Sequence, residues 1–346
     1  MVEPETTQLQ PQRYEHRTPT YEMTVAGKDI TPHIDARLIS LTLTEGRENT
    51  ADQLDIELDD HDGLLNIPRQ EAEIELMIGW LGDQLVDKGS FVVDEVEHTG
   101  APDKVTIRAR AADMAGEIRT RKEKSWRNTT LGAVIADLAK NSKLTHKVDA
   151  TLAKTAIAHI TQTNESDMHF LTRLARKYDA VATVKKKHLL FMPINGTQNS
   201  KGKKLPTVHI TRADGDQHRW ASSARDAFDG VKAYWSDSVN GKRKMVVAGK
   251  KTGNTKTLKE TYASEKDALD AARAERQRLE RGIATLELTL AMGRPEITAQ
   301  SPITVSGWKD EMDGQDWLVK EVCHTLNDGS GWTTKVDMEI GTQTSA

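Results

Sequence analysis

Two histidines stand in matched surroundings in this sequence. Val93-Asp94-Glu95-Val96-Glu97-His98-Thr99 and Val319-Lys320-Glu321-Val322-Cys323-His324-Thr325 share a V-x-E-V-x-H-T pattern, so each copy sets a glutamate three residues before a histidine. Imidazole near carboxylate is the raw material of a metal site or an acid–base pair. The neighbours argue against both. Glu97 precedes His98 where Cys323 precedes His324, and the alternation puts both copies on strands, where a packed or exposed histidine is the expectation. Asp60-His61-Asp62-Gly63 invites calcium, but Leu58 would fall at the first ligand position of such a loop and Arg69 at its bidentate glutamate, so an acidic turn is the better account. Gly196 to Lys204 resembles a phosphate loop only loosely, since Lys204 replaces the hydroxyl residue and no helix follows. Cys323 has no C-x-x-C partner and reads as a small buried hydrophobe. No nucleophile elbow sets Ser, His and Asp in context. The reading is of a chain with no catalytic, metal or cofactor site.

The matched stretches carry a different message. A Gly-Trp pair closing an apolar run precedes each, Gly79-Trp80 and Gly307-Trp308, and a period-2 strand follows each, Lys104 to Ala111 and Thr333 to Ile340. Self-similarity across that distance points to a duplicated unit. Val93, Glu95, Val96 and His98 then mark one copy, and Val319, Glu321, Val322 and His324 the other.

The 346 residues suffice for two or three domains. No run reaches the roughly 18 apolar residues of a spanning helix, and Met1 to Thr20 has no apolar core to act as a signal peptide. A single cysteine excludes an internal disulfide framework and fits synthesis in a cytoplasm, which leaves the sequons at Asn128, Asn164 and Asn195 unread. A net charge of −4 gives no electrostatic case for nucleic acid as the main ligand. The lysine clusters at 185–187, 201–204 and 242–259 are the best case for an anionic partner, yet lysines at hairpin tips are usually solvated.

Residues 1–19 read as an extended arm. From 20 to 112, six alternating segments imply short antiparallel strands in a sandwich or barrel. From 113 to 204 the pattern is α/β: Thr129-Thr130 caps a helix ending near Asn141, Ser166 caps a second with Phe170, Leu171 and Leu174 on one stripe, and Val181–Val184 and His188–Met192 form a hairpin. From 205 to 346 strands return, Ile297–Gln300 among them, interrupted by an Ala- and Arg-rich helix at about 264–282. The loop Asp59 to Gln70 stands where that helix would fall in the first copy.

The segment Gln162-Thr163-Asn164-Glu165-Ser166-Asp167-Met168-His169-Phe170-Leu171-Thr172-Arg173-Leu174-Ala175 resembles the Q-x-N-E-S-D-x-x-F-L-x-R-L-A signature of the phage late control D family, itself related to the N-terminal hub part of type VI secretion VgrG proteins. Leu189-Leu190-Phe191 behind the helix, the Ala-rich helix and a late strand from Gly314 to His324 fit the same family, with Trp317 the one departure. The resemblance implies a mainly β, α+β fold: two related antiparallel β-barrels from an internal duplication, with a small α/β domain between them. It implies a non-enzymatic baseplate hub of a contractile tail, a homotrimer in the virion that joins the hexameric tail tube protein to a trimeric spike protein. It also implies contacts with the tape measure protein and other baseplate proteins, no membrane, and nucleic acid at most in transit. No spike repeats precede Ala346, so the spike is expected to be a separate polypeptide.

Gln162, Asn164, Glu165, Ser166 and Asp167 read as folding residues: Ser166 caps the helix, and Asp167 sits in its first turn, where the helix dipole favours negative charge. A cell-wall-cutting role for the middle region lacks paired carboxylates or spaced metal ligands between Asp113 and Ser200. A DNA-binding late-gene regulator, which the family's historical name would suggest, lacks a helix-turn-helix pattern.

Overall fold

The computed structural model describes residues 17–47, 52–111, 118, 120–185, 187–194, 205–223, 227–237, 240–327 and 331–341. Most of the expected N-terminal arm, Lys186 and the Gly196–Lys204 segment lie outside the described residues. The first third holds β1 (Pro19–Val25), β2 (Lys28–Asp29), β3 (Leu38–Gly46), β4 (Gln53–Asp59), β5 (Glu73–Trp80), β6 (Val86–Thr99) and β7 (Lys104–Ala111). Alternation explains them: Leu41, Leu43, Leu54, Ile56, Leu76, Ile78, Val105 and Ile107 point into one core while the residues between them face outward.

The middle third begins with β8 (Arg121–Thr130), followed by a helix over Leu131–Asn141, then β9 (Thr145–Val148) and β10 (Ala156–Ser166). A second helix over Asp167–Lys177 leads into the hairpin of β11 (Ala180–Lys185) and β12 (His188–Pro193). β8 and β10 form a two-stranded ribbon; β9 joins β12 in parallel. Leu131, Val134, Ile135 and Leu138 from one helix and Phe170, Leu171 and Leu174 from the other share a core with Leu189 and Phe191 of the hairpin.

The last third holds β13 (Val208–Thr211), β14 (Gly215–Ser222), β15 (Gly230–Asp237), β16 (Lys242–Gly249), β17 (Thr255–Tyr262), a helix over Glu265–Arg281, β18 (Ala284–Leu290), β19 (Pro302–Ser306), β20 (Asp316–Asn327) and β21 (Gly331–Ile340). Ile297–Gln300 is not a strand: Ile297 N–H closes a turn onto Arg294 O and Ser301 N–H another onto Thr298 O, leaving no ladder through the segment.

The two outer thirds pair their strands in the same sequence. The order is β3-β4-β7-β6-β5-β1 in the first and β14-β18-β21-β20-β19-β13 in the last. Irregularities fall at matching places, between Val93/Glu95 and Val319/Glu321 inside the two V-x-E motifs, and between Leu38/Ser40 and Gly215/Gln217. One pairing differs: β1 runs antiparallel to β5, whereas β13 runs parallel to β19.

Two expectations need correction. Among the described residues no sheet closes into a barrel; instead β20 pairs with β3, from Glu321↔Gly46 to Asn327↔Ser40, so one thirteen-stranded sheet runs through both outer thirds. The cause is strand length, for β19 covers only Asp316 to Leu318 of β20 and leaves the rest of that edge open to another strand. The inserted helix spans Glu265–Arg281, but its place in the repeat differs from the one expected. It lies between β14 and β18 with the separate sheet β16-β15-β17, so its counterpart in the first third is the β3–β4 connection and not Asp59–Gln70.

Candidate functional site

The end of β3 is where the three thirds of the chain meet, and what meets there is charge. Leu41 and Leu43 point inward, and the next inward position is Glu45, fully buried. An unpaired carboxylate there would be very costly. Lys88 of β6 answers it at 2.7 Å, and Lys185, at the tip of the middle hairpin, approaches its other oxygen at 3.4 Å and Asp52 at 3.2 Å. Burial opposes ionisation of Glu45, but Lys88 and Lys185 outweigh it and hold the carboxyl below its usual range. The same competition runs the other way at Asp52, which burial raises despite Lys185. Lys185 is 40% exposed, yet it differs from the solvated hairpin lysine that sequence suggests in having two acidic partners, both from the first third of the same chain.

His324 completes this cluster from β20. Its Nε2 lies 3.1 Å from Lys88 Nζ and its Nδ1 lies 2.9 Å from Thr334 Oγ1. An ammonium has only donors, so Nε2 must accept and Nδ1–H must donate to Thr334, whose oxygen also accepts Arg294 N–H at 3.0 Å. Burial, and then the facing Lys88 cation, push the imidazole pKa down to about 3. The ring is a neutral acceptor wedged between two strands. Its motif counterpart His98 is 42% exposed and lies 3.3 Å from Asp60. The two histidines hold the same pattern position with opposite burial.

Two residues after Glu45, Arg47 starts a second buried cluster. Arg47 Nη2 meets Glu339 at 2.7 Å; Glu339 also accepts Arg281 Nε at 2.7 Å; and the Arg281 guanidinium grips both oxygens of Asp179 at 2.5 Å. These are the residue just after β3, β21, the last turn of the Glu265–Arg281 helix and the link into β11. Bidentate geometry is what lets a buried arginine offset its desolvation, and the two carboxylates keep Arg281 charged, its pKa raised in spite of burial.

The signature helix is built by the same logic. Ser166 Oγ accepts His169 N–H at 3.2 Å, and buried Asp167 is held by Gln162 Nε2 at 2.8 Å and Lys122 Nζ at 2.7 Å. Gln162 also donates to Glu165 O at 2.9 Å across an irregularity where Asn164 takes a left-handed φ of 48°. Glu165 pairs with Arg173 nearly two turns into the helix. Phe170 is fully buried and stacks on Trp126, with ring centroids 5.1 Å apart, while Leu171 and Leu174 pack in the same core. Gln162, Asn164, Glu165, Ser166 and Asp167 are thus gathered at one helix start, where Gln162 ties the Glu165 carbonyl to the Asp167 carboxylate.

Val93 and Val96 contact the first core, and Val319 and Val322 belong to the second. Glu95 is an exposed partner of Arg108 at 3.0 Å. Sequence reading missed Glu45, Arg47, Lys88, Asp179 and Arg281. Two of them left a signal, a glutamate at the inward position after Leu41 and Leu43, and an arginine seven residues beyond Ala274 on the buried stripe of its helix. The lysines of the third cluster also have acids in the chain: Lys244 with Asp237, Lys250 with Asp229 and Lys256 with Glu275.

What this arrangement does chemically is hold three regions in one relative orientation, with every named charge engaged by another. The family model "Phage tail baseplate hub (GPD)" matches residues 50–330. The "Probable baseplate hub protein" of Escherichia phage 186 is 40% identical over 362 aligned positions, covering 93% of each chain. Among solved structures, the prophage MuSo2 43 kDa tail protein from Shewanella oneidensis superposes with a TM-score of 0.68 at 16% identity, over 93% of this chain and 98% of that one. The E. coli c3393 protein, described as a component of the type VI secretion system with structural similarity to bacteriophage T4 tail proteins gp27 and gp5, gives 0.55 at 13% identity, over 93% and 77%. The chain belongs to the phage tail baseplate hub (GPD) family.

Proposed function

We propose that this hub protein is a homotrimeric adaptor, joining the six-fold tail tube to a three-fold spike, and that it works without catalysis. The supporting observation is the repeated strand order of the outer thirds, with irregularities at matching motif positions. A closed ring of three chains offers only three copies of any single surface; a repeat within each chain raises that to six related surfaces. On this reading residues 20–112 and 205–346 are the two tube-facing units, each derived from a barrel-like ancestor, and 113–204 is a separate α/β unit. The tape measure protein and other baseplate proteins are further partners. The buried ionic clusters fix the angle between the units, which is the property a symmetry adaptor depends on. The function then resides in shape and contacts, consistent with side chains that engage one another.

The test is mass in solution, by sedimentation velocity and native mass spectrometry, of the chain alone and mixed with its spike and tube proteins. A mass of three chains is expected in at least one mixture. A chain that remains a monomer in all of them rules the adaptor out.

A further inference from the structure

The ladder between the two outer thirds joins two kinds of strand, the fifth of one unit (β20) and the second of the other (β3). The chain contains each kind once more. β6 is the fifth strand of the first unit; β5 covers it only over Val86–Val92, and among the described residues no strand pairs with the edge of Glu95–Thr99 that faces away from β7. β14 is the second strand of the last unit and, among the described residues, pairs with β18 alone. One chain therefore carries the two halves of a ladder it already makes internally, on edges that lie far apart in the strand order. An open edge of this length is a template for another strand.

We infer that β14 of one copy adds antiparallel to β6 of the next, repeating between chains the β20–β3 ladder found within one. This rests on the trimeric reading above and names the surface that builds the trimer. The matched irregularities give the register. Val93/Glu95 correspond to Val319/Glu321 and Leu38/Ser40 to Gly215/Gln217, so Glu321↔Gly46 becomes Glu95↔Ser223 between copies. The pairs Val96↔Ser222, Glu97↔Ala221, His98↔Trp220 and Thr99↔Arg219 follow.

The chemistry of these edges fits. In the internal ladder His324 faces Leu43, both fully buried. The corresponding pair is His98 with Trp220, and Trp220 is one of the large apolar side chains left at the surface, 36% exposed. The β6 edge presents Asp94, Glu95 and Glu97; β14 presents His218 and Arg219. Glu97 and Arg219 fall on a diagonal, within reach of long side chains. Both already have exposed partners in their own chain, Arg108 at 3.5 Å from Glu97 and Glu287 at 2.6 Å from Arg219, so docking extends an existing chain of alternating charges. Each copy supplies one edge of each kind, a head-to-tail contact that closes only as a ring.

Cysteine pairs in a Cys323→Ser background test the pairing, in the purified chain and in assembled tails. Glu97→Cys combined with Ala221→Cys places two thiols directly opposite each other between copies. Mild oxidation should give covalent dimers and three-chain species on a non-reducing gel and no larger closed form. Glu97→Cys with Ser222→Cys shifts one thiol to the other face and should stay uncrosslinked. Trp220→Glu should weaken self-association at least tenfold while far-ultraviolet dichroism shows the separated chain still folded, since part of the side chain is already at the surface. Three-chain particles in which the matched cysteines remain reduced overturn the strand pairing and leave the adaptor reading standing. Equal crosslinking of matched and shifted pairs overturns the register. Monomers in solution and in tails remove both.

Discussion

Lys88 Nζ stands 3.1 Å from His324 Nε2 and 2.7 Å from Glu45 Oε2, so one ammonium bridges a neutral ring from the last third and a carboxylate from the first. Protonating that ring would set two cations against each other. The unfolded chain binds the proton near pH 6.5, while the folded ring resists it down to about 3. The contribution of His324 to stability is therefore complete above about pH 6.5 and declines as pH falls toward 3. Glu45, held below its usual range, adds a loss in acid, and Asp52, raised, works against it. Urea unfolding at pH 7 and pH 5 should show a smaller pH effect in His324→Gln than in the parent. Equal pH effects would show that the ring is not held neutral by this contact.

Arg281 is a tie among the α/β region, the long helix and the last strand. Arg281→Met leaves Asp179 and Glu339 buried, with Glu339 keeping only Arg47, and should cost about 3–5 kcal/mol. Chemical denaturation gives the value. Limited proteolysis should in addition release the middle region sooner, and an unchanged digestion pattern would locate the rigidity elsewhere.

The signature helix makes two predictions of different size. Phe170→Ala removes a fully buried ring stacked on Trp126 and should cost roughly 3–5 kcal/mol. Ser166→Ala removes a cap bond alone and should cost about 1 kcal/mol. Thermal melts that rank the two in reverse would contradict the packing described.

Gly293 is pinned by aromatic rings. Trp80 Nε1 donates to its carbonyl at 3.1 Å, Trp80 and Trp332 lie 4.9 Å apart, and a Cβ on residue 293 would come within 2.0 Å of the Trp332 ring. Trp332 belongs to the last third yet packs in the core of the first. Gly293→Ala should destabilise by about 1–3 kcal/mol and alter near-ultraviolet dichroism through the displaced indole. A variant with parental stability and spectrum would mean that the ring moves aside freely.

What the sequence discloses and what it hides divide along physical lines. Strands with one buried face were legible because Leu41, Leu43, Leu54 and Ile56 alternate, and helices were legible because Thr130, Ser166 and Ser264 cap them. β8, with the sequence RKEKSWRNTT, and β17, with TKTLKETY, were not, since each is largely polar and takes its conformation from a neighbouring strand. The ionic junction was hidden for another reason. Glu45–Lys88, Glu45–Lys185 and Asp179–Arg281 are brought together only by tertiary structure, and no spacing rule links them. A charge at an inward strand position, Glu45, and another on the buried stripe of a helix, Arg281, were the visible traces.

The β20–β3 ladder also orders events in time. Ser40 to Gly46 leave the ribosome early, but Glu321 to Asn327, their second neighbours, arrive only when almost the whole chain has been made. Until then β3 waits with β4 on one side and an open edge on the other. Contacts of such sequence separation form slowly. During that interval the β20 of another chain offers the same edge, so exchange of this strand between newly made copies is the misassembly this topology invites.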